Sequence, residues 1–195
     1  FGTRRIQPKV NRIKCPSEWV KQGPDNNAFI VIGNVLANKG PLFYKQERVG
    51  KNGEHFKIVK LRSMVTDAEK DGAQYAKKKD TRVTYFGNFL RRTRIDEIPQ
   101  FINVIKGEMS VIGPRPERPI FVESLSEQIP FYEIRHLVKP GVTGWAQVNA
   151  KYGMTQEDAM EKLQYDLYYI KRRSFFLDTK IILKTLSTII FFRGQ

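Results

Sequence analysis

The sequence has one cysteine, Cys15, and two histidines, His55 and His136, in 195 residues. A single cysteine excludes an internal disulfide and a cysteine-rich zinc site, and two imidazoles are too few for a histidine-based metal centre. A cytoplasmic setting is the simplest one for such a chain. No run of about 18 apolar residues occurs, so no full membrane span is legible. Negative charge is also scarce: 20 Asp and Glu face 34 Lys and Arg, giving a net charge of +14 and a pI near 9.9. The preferred partner is therefore anionic: a nucleic acid, an acidic lipid surface or a phosphorylated substrate. No nucleic-acid module is present, and Tyr and Phe are not interleaved with Lys and Arg in a stacking pattern, so nucleic acid is disfavoured. Carboxylates and basic groups must carry any chemistry.

What is present suits one folded domain, since 41% of residues are hydrophobic and 12% aromatic. Residues 1–27 mix basic residues with Pro8, Pro16, Gly23 and Pro24 and show no sustained period, as in a linker or arm. The apolar run "AFIVIGNVL" at 28–36 has strand or buried-helix length, or is the stub of a membrane-dipping segment. We take 1–37 as an N-terminal arm or anchor remnant and 38–195 as the folded unit. "PLFYKQERVGKNGEHFKIVKLRSM" predicts a β-hairpin turning at Asn52-Gly53, and "TDAEKDGAQYAKK" from Thr66 predicts a helix interrupted by Gly72. In "IDEIPQFINVIKG", Ile98, Phe101, Ile102 and Ile105 recur at steps of three and four, predicting the buried face of a helix ending near Gly107. A further helix is expected around 117–126, and "LVKPGVTGWAQVNAKYG" reads as ordered loop. "TQEDAMEKLQYDLYYIKRR" predicts a helix opened by a Thr155/Asp158 capping box, with Met160, Leu163, Leu167 and Ile170 on one face. The C-terminal "FFLDTKIILKTLSTIIFFR" has two readings. It is a core helix, or an interfacial one with Phe175, Phe176, Ile181, Ile182, Ile189, Phe191 and Phe192 among acyl chains and Lys180, Lys184 and Arg193 at headgroups.

The densest chemistry lies in "RRTRIDEIPQFINVIKGEMSVIGPRPERP", where Asp96 and Glu97 are ringed by Arg91, Arg92, Arg94, Arg115 and Arg118. An isolated Asp-Glu pair at a helix start ordinarily complements the macrodipole. The alternative uses one carboxylate to attack phosphorus and the other to hold a hard cation that prefers oxygen ligands. Arg115 and Arg118 flank prolines that fix the backbone, which suits bidentate phosphate recognition, although arginines are also common on surfaces. Lys60 and Arg62, one strand period apart, are expected on one hairpin face, either meeting a phosphate or facing water.

In order and spacing, "KGPLFYKQERVGKNGEHFKIVKLRSM", "RRTRIDEIPQFINVIKGEMSVIGPRPERP" and "LVKPGVTGWAQVNAKYG" resemble the bacterial sugar transferase family, the monotopic polyprenyl-phosphate phosphoglycosyl transferases. The tail after residue 160 resembles the exopolysaccharide-initiating branch. The resemblance implies an α+β fold: a small, mainly helical catalytic domain with a β-hairpin and amphipathic interfacial helices. It implies transfer of a sugar 1-phosphate from a UDP-sugar to undecaprenyl phosphate at the cytoplasmic face of the bacterial inner membrane. Asp96 would be the nucleophile, Glu97 with Asp96 would hold Mg2+, and Arg115 would bind phosphate, with Arg118, Lys60 and Arg62 around the same anions. The implied partners are the UDP-sugar, undecaprenyl phosphate and an anionic membrane surface, without nucleic acid, and self-association into a homo-oligomer stays open. The family's re-entrant membrane helix is expected just before the first block but is not evident there, where the sequence reads "AFIVIGNVLANKG" after polar "KQGPDNN": the anchor is deleted, or the residues join across a gap, or the membrane is bound through the amphipathic helices alone. The competing reading is a catalytically silent, basic membrane-docking or scaffold module of a polysaccharide assembly complex.

Overall fold

The computed structural model describes residues 40–70, 72–75, 80–150, 153 and 155–190. The run at 28–36 and residues Phe191, Phe192 and Arg193 lie outside them. The hairpin forms as expected: β1 (Phe43–Val49) pairs antiparallel with β2 (His55–Leu61), from Phe43 opposite Leu61 to Val49 opposite His55. Asn52 (φ 56°) and Gly53 (φ 79°) make the turn, using the left-handed region that Asn and Gly tolerate best. Side chains two apart share a strand face. Phe56 and Ile58 on one face of β2 are buried against Met109, and the next residue on that face is Lys60.

After the hairpin, residues 66–70 form turns rather than the expected helix, and Gly72 takes a left-handed φ of 96° that cannot continue one. Helix α1 (Tyr85–Arg92) starts at Thr84, whose hydroxyl accepts from the Gly87 amide. Arg94 then turns the chain with φ 59°, a 3-10 segment (Ile95–Gln100) follows, and α2 (Phe101–Ile105) ends one turn later.

This stretch reverses the expected amphipathicity. Ile98 is 57% exposed and Ile105 82%, with Phe101 and Ile102 also exposed, whereas Asp96, Glu97, Gln100 and Asn103 are buried. The cause is hydrogen bonding. Asn103 accepts from the Val59 amide (3.1 Å) and donates to the Lys57 carbonyl (2.9 Å), so its carboxamide completes the free edge of β2 as a third strand would. The apolar side is thereby turned outward.

Strand β3 (Ser110–Ile112) pairs in parallel with β4 (Gly141–Thr143), so the Gly- and Pro-rich segment is not a loop. A Cβ on Gly141 would lie 2.1 Å from the Gly113 nitrogen, which is why the two backbones can meet there. Helix α3 (Pro119–Gln128) confirms the helix expected around 117–126. A 3-10 segment (Tyr132–Leu137) leads into β4, and short helix α4 (Trp145–Asn149) follows.

Helix α5 (Gln156–Arg172) opens with the expected capping box, and α6 (Phe175–Ile190) closes the described chain. Leu163 joins Val49, Val122, Ile129 and Tyr132 in one core cluster, with Leu167 packed against it, while Met160 is exposed. On α6, Phe175 and Phe176 are exposed, but Ile181 is fully buried and so leaves the set expected among acyl chains. Lys180 and Lys184 lie 5.4 and 5.1 Å over the Trp145 ring in a cation–π arrangement. The architecture is α+β, and no described helix is long and apolar enough to cross a membrane.

Asn103→Ala strands the buried Val59 amide and the part-buried Lys57 carbonyl and is expected to lower stability by roughly 1–4 kcal/mol, about 1–3 kcal/mol for the buried amide and less for the carbonyl. A fall in the urea midpoint with unchanged slope checks this; an unchanged midpoint would refute the edge-completing role.

Candidate active site

The 3-10 segment carries Asp96 and Glu97 against the inward face of β2. Three cations from three parts of the chain converge on Glu97. Lys60 Nζ, delivered by the strand alternation, lies 3.1 Å from Oε1; Arg115 Nη2, from the turn after β3, lies 3.2 Å from the same atom; Arg94 Nη1 lies 3.4 Å from Oε2. Burial alone would raise the Glu97 carboxyl pKa, but Lys60, Arg115 and Arg94 together hold it well below the usual carboxylate range. Glu97 is ionised at any physiological pH.

Asp96 is treated differently. Burial, and then repulsion from adjoining Glu97, push its carboxyl up to about 6 against the pull of Lys60, Arg91 and Arg94. Its Oδ1 is buried without a hydrogen-bond partner among the described residues. One carboxylate of the dyad is thus ringed by three cations, with a single contact at its Oε2, while the other keeps a buried oxygen without a partner among the described residues. The described residues hold no cluster of three or more His, Cys, Asp or Glu side chains fit for a metal. A cation at the dyad would take its remaining oxygens from a ligand and water, as Mg2+ does beside phosphates.

Of the six expected site residues, the structure brings together four: Asp96, Glu97, Lys60 and Arg115. Arg62 lies beyond the last residue of β2, donates Nε to the Pro41 carbonyl at 2.9 Å and sits over the Tyr44 ring, whereas Lys60 pairs with Glu97. Arg118 is ion-paired with Glu69 at 2.9 Å rather than with the dyad. Arg94 is the residue that sequence reasoning left unassigned. Its left-handed backbone is unusual for a branched, charged side chain and places the guanidinium back over Glu97. Its place in the basic ring about the dyad was the available signal. Arg91, whose Nε donates to the buried Ser63 hydroxyl at 2.9 Å, adds positive potential at Asp96.

Arg115 keeps 39% of its side chain exposed while touching Glu97, so its guanidinium can serve a buried carboxylate and a ligand on the solvent side. The arrangement can therefore collect an anion beside a carboxylate that has one unengaged oxygen, with positive charge on several sides to offset repulsion.

Comparison with known proteins places the chain in a family. The family description "Bacterial sugar transferase" matches residues 27–192. A UDP-N-acetylgalactosamine-undecaprenyl-phosphate N-acetylgalactosaminephosphotransferase of Aeromonas hydrophila is 49% identical over 155 residues, covering 80% of this chain and 37% of the relative. A UDP-glucose:undecaprenyl-phosphate glucose-1-phosphate transferase of Xanthomonas campestris pv. campestris is 46% identical over 80% of this chain and 33% of its own length. The enzyme of the same name from Escherichia coli (strain K12) is 43% identical over 80% of this chain and 34% of its own. The chain thus spans about a third of the length of these relatives. With a family match over most of its residues and a basic site built around Asp96 and Glu97, the chain belongs to the bacterial sugar transferase family.

Proposed function

We propose that the chain transfers a sugar 1-phosphate from a UDP-sugar to undecaprenyl phosphate through a covalent phosphosugar on Asp96. The observation that carries this reading is the open, buried Oδ1 of Asp96 beside a Glu97 that already holds three cations. In the first step an Asp96 oxygen bonds to the sugar-bearing phosphorus; the bond from that phosphorus to the bridging oxygen breaks, and its electron pair leaves with UMP. In the second step an oxygen of undecaprenyl phosphate attacks the same phosphorus, and the Asp96 carboxylate departs with the electron pair. The products are UMP and undecaprenyl-diphospho-sugar.

Each residue has a physical task in these steps. Arg115 and Lys60 bind diphosphate oxygens, and Arg94 with Lys60 keeps Glu97 ionised. Asp96 Oδ1 and Glu97 would hold Mg2+, which when bound neutralises phosphate charge near the carboxylate nucleophile. The donor chemistry fits: two adjacent carboxylates, one with an unpartnered oxygen.

The outward apolar side of the dyad segment, Ile98, Phe101, Ile102 and Ile105, lies on the same short stretch as the nucleophile. We assign this side to the acyl region of the cytoplasmic membrane leaflet, which would bring the headgroup-level phosphate of the lipid acceptor toward Asp96.

Four outcomes are expected. Incubation with UDP-glucose, UDP-N-acetylgalactosamine and related UDP-sugars in Mg2+ should give a phosphosugar mass increment on Asp96 with release of UMP. No adduct from any of them would favour the silent scaffold.

Asp96 must be ionised to attack, so the adduct rate should rise about tenfold per pH unit below its pKa of about 6 and level off above it. The linkage has the opposite sign for stability. A carboxyl raised from 3.8 to about 6 favours the fold while protonated, below its unfolded pKa, and that advantage is lost as pH rises through 6. Asp96→Asn should accordingly abolish turnover yet raise stability at pH 7.5 by up to about 3 kcal/mol, the gain fading as pH falls toward 4. Turnover near the normal rate in this variant would refute the nucleophile.

Phe101→Glu combined with Ile105→Glu should reduce co-sedimentation with anionic phospholipid vesicles by about tenfold or more, as acyl-region burial is lost. Equal sedimentation of the variant and the unaltered protein would place the membrane face elsewhere.

A further inference from the structure

The Pro114-Arg115-Pro116 turn has little means of holding itself. Pro114 and Pro116 have no N–H, so the turn's hydrogen bonding depends on donors brought to its carbonyls. Each carbonyl receives one from a distant segment: the Gly141 amide donates to Pro114 O at 2.8 Å, Arg135 Nη2 to Arg115 O at 2.9 Å, and Arg48 Nη1 to Pro116 O at 3.3 Å.

Arg135 stands apart because its own guanidinium is buried and engaged at both terminal nitrogens. The residue is 6% exposed, its Nη1 donates to the Tyr132 hydroxyl, and Nη2 is ion-paired with buried Asp166 of α5 at 2.9 Å. Its carbon lies 5.0 Å from the Tyr132 ring centre. A planar fork can meet the carboxylate, the phenol and the carbonyl together; the single ammonium of lysine cannot span all three.

We infer that Arg135, locked by Asp166 and Tyr132, is a positioning residue that aims Arg115 at the phosphates by holding its backbone carbonyl. The inference rests on the proposed phosphate-binding role of Arg115. Arg135 touches neither Asp96 nor Glu97; its influence runs through one carbonyl oxygen. Small displacements of a group that orients substrate are costly, and about 1 Å can cost about a hundredfold in rate.

A double-mutant cycle tests this. UMP release is measured with undecaprenyl phosphate and whichever of UDP-glucose and UDP-N-acetylgalactosamine the unaltered full chain turns over, for that protein, Arg115→Ala, Arg135→Lys and the double variant. Arg135→Lys should raise KM for the UDP-sugar about tenfold to a hundredfold with a smaller change in kcat. In the Arg115→Ala background it should have no further effect, because the group it aims is gone. An equal fold-loss in both backgrounds would overturn the inference and leave Arg135 a stabilising residue only. Full activity of Arg115→Ala would instead overturn the phosphate role of Arg115, and the inference with it. Should Arg135→Lys fail to fold, Tyr132→Phe removes one anchor of the guanidinium while keeping the ring. Its loss of activity should likewise require Arg115, and a loss that persists without Arg115 would overturn the inference.

Discussion

A buried carboxylate must find positive charge or give up its own, and this constraint organises the structure around residues 96 and 97. Glu97 satisfies it with cations brought from a strand, from its own segment and from the turn after β3. Those three contacts draw together the parts of the chain that form the site. Asp96, one residue away, is left underprovided. It has burial and like charge against it and an oxygen without a donor. The two acids thus differ by environment, one a fixed anion that gathers cations and the other a carboxyl kept short of stabilisation.

The same segment has a polar inner side and an apolar outer one. Its polar side chains turn inward, because Asn103 must complete the edge of β2 and the dyad must meet its cations, so Ile98, Phe101, Ile102 and Ile105 have only the outer surface left. Such an inversion is costly in water. A surface that the chain presents to lipid removes that cost, which is the physical reason for linking this face to membrane docking.

Much of this was legible before any coordinates. The Asn-Gly turn and its flanking β-favouring residues specify the hairpin, and the Thr155/Asp158 spacing specifies the start of α5, because both are local. The ring of arginines about Asp96 and Glu97 marked the site by charge alone. What the sequence hid was long-range. Periodicity marks which residues share a face, not which medium that face meets, so the isoleucines of the dyad segment read as core. The bonds of Asn103 to Val59 and Lys57 span 44 and 46 residues, and no local pattern encodes them. Glycines at 141 and 144 resembled loop punctuation, whereas their role is steric, allowing two backbones to approach. Arg118 sat in the same motif as Arg115, yet Glu69 from a distant turn claims it.

The proline-flanked turn also bears on how the protein becomes competent. Its carbonyls wait for Arg48 from the first strand, Arg135 from the 3-10 segment and the Gly141 amide, and Arg135 in turn waits for Asp166 from a late helix. None of these donors is a sequence neighbour. A chain emerging from the ribosome therefore carries Asp96 and Arg115 long before the last brace of the proline-flanked turn has been made. The turn that carries Arg115 is thus fully braced only once α5 has packed beneath it, because Asp166 is the ionic partner of the guanidinium that holds the Arg115 carbonyl.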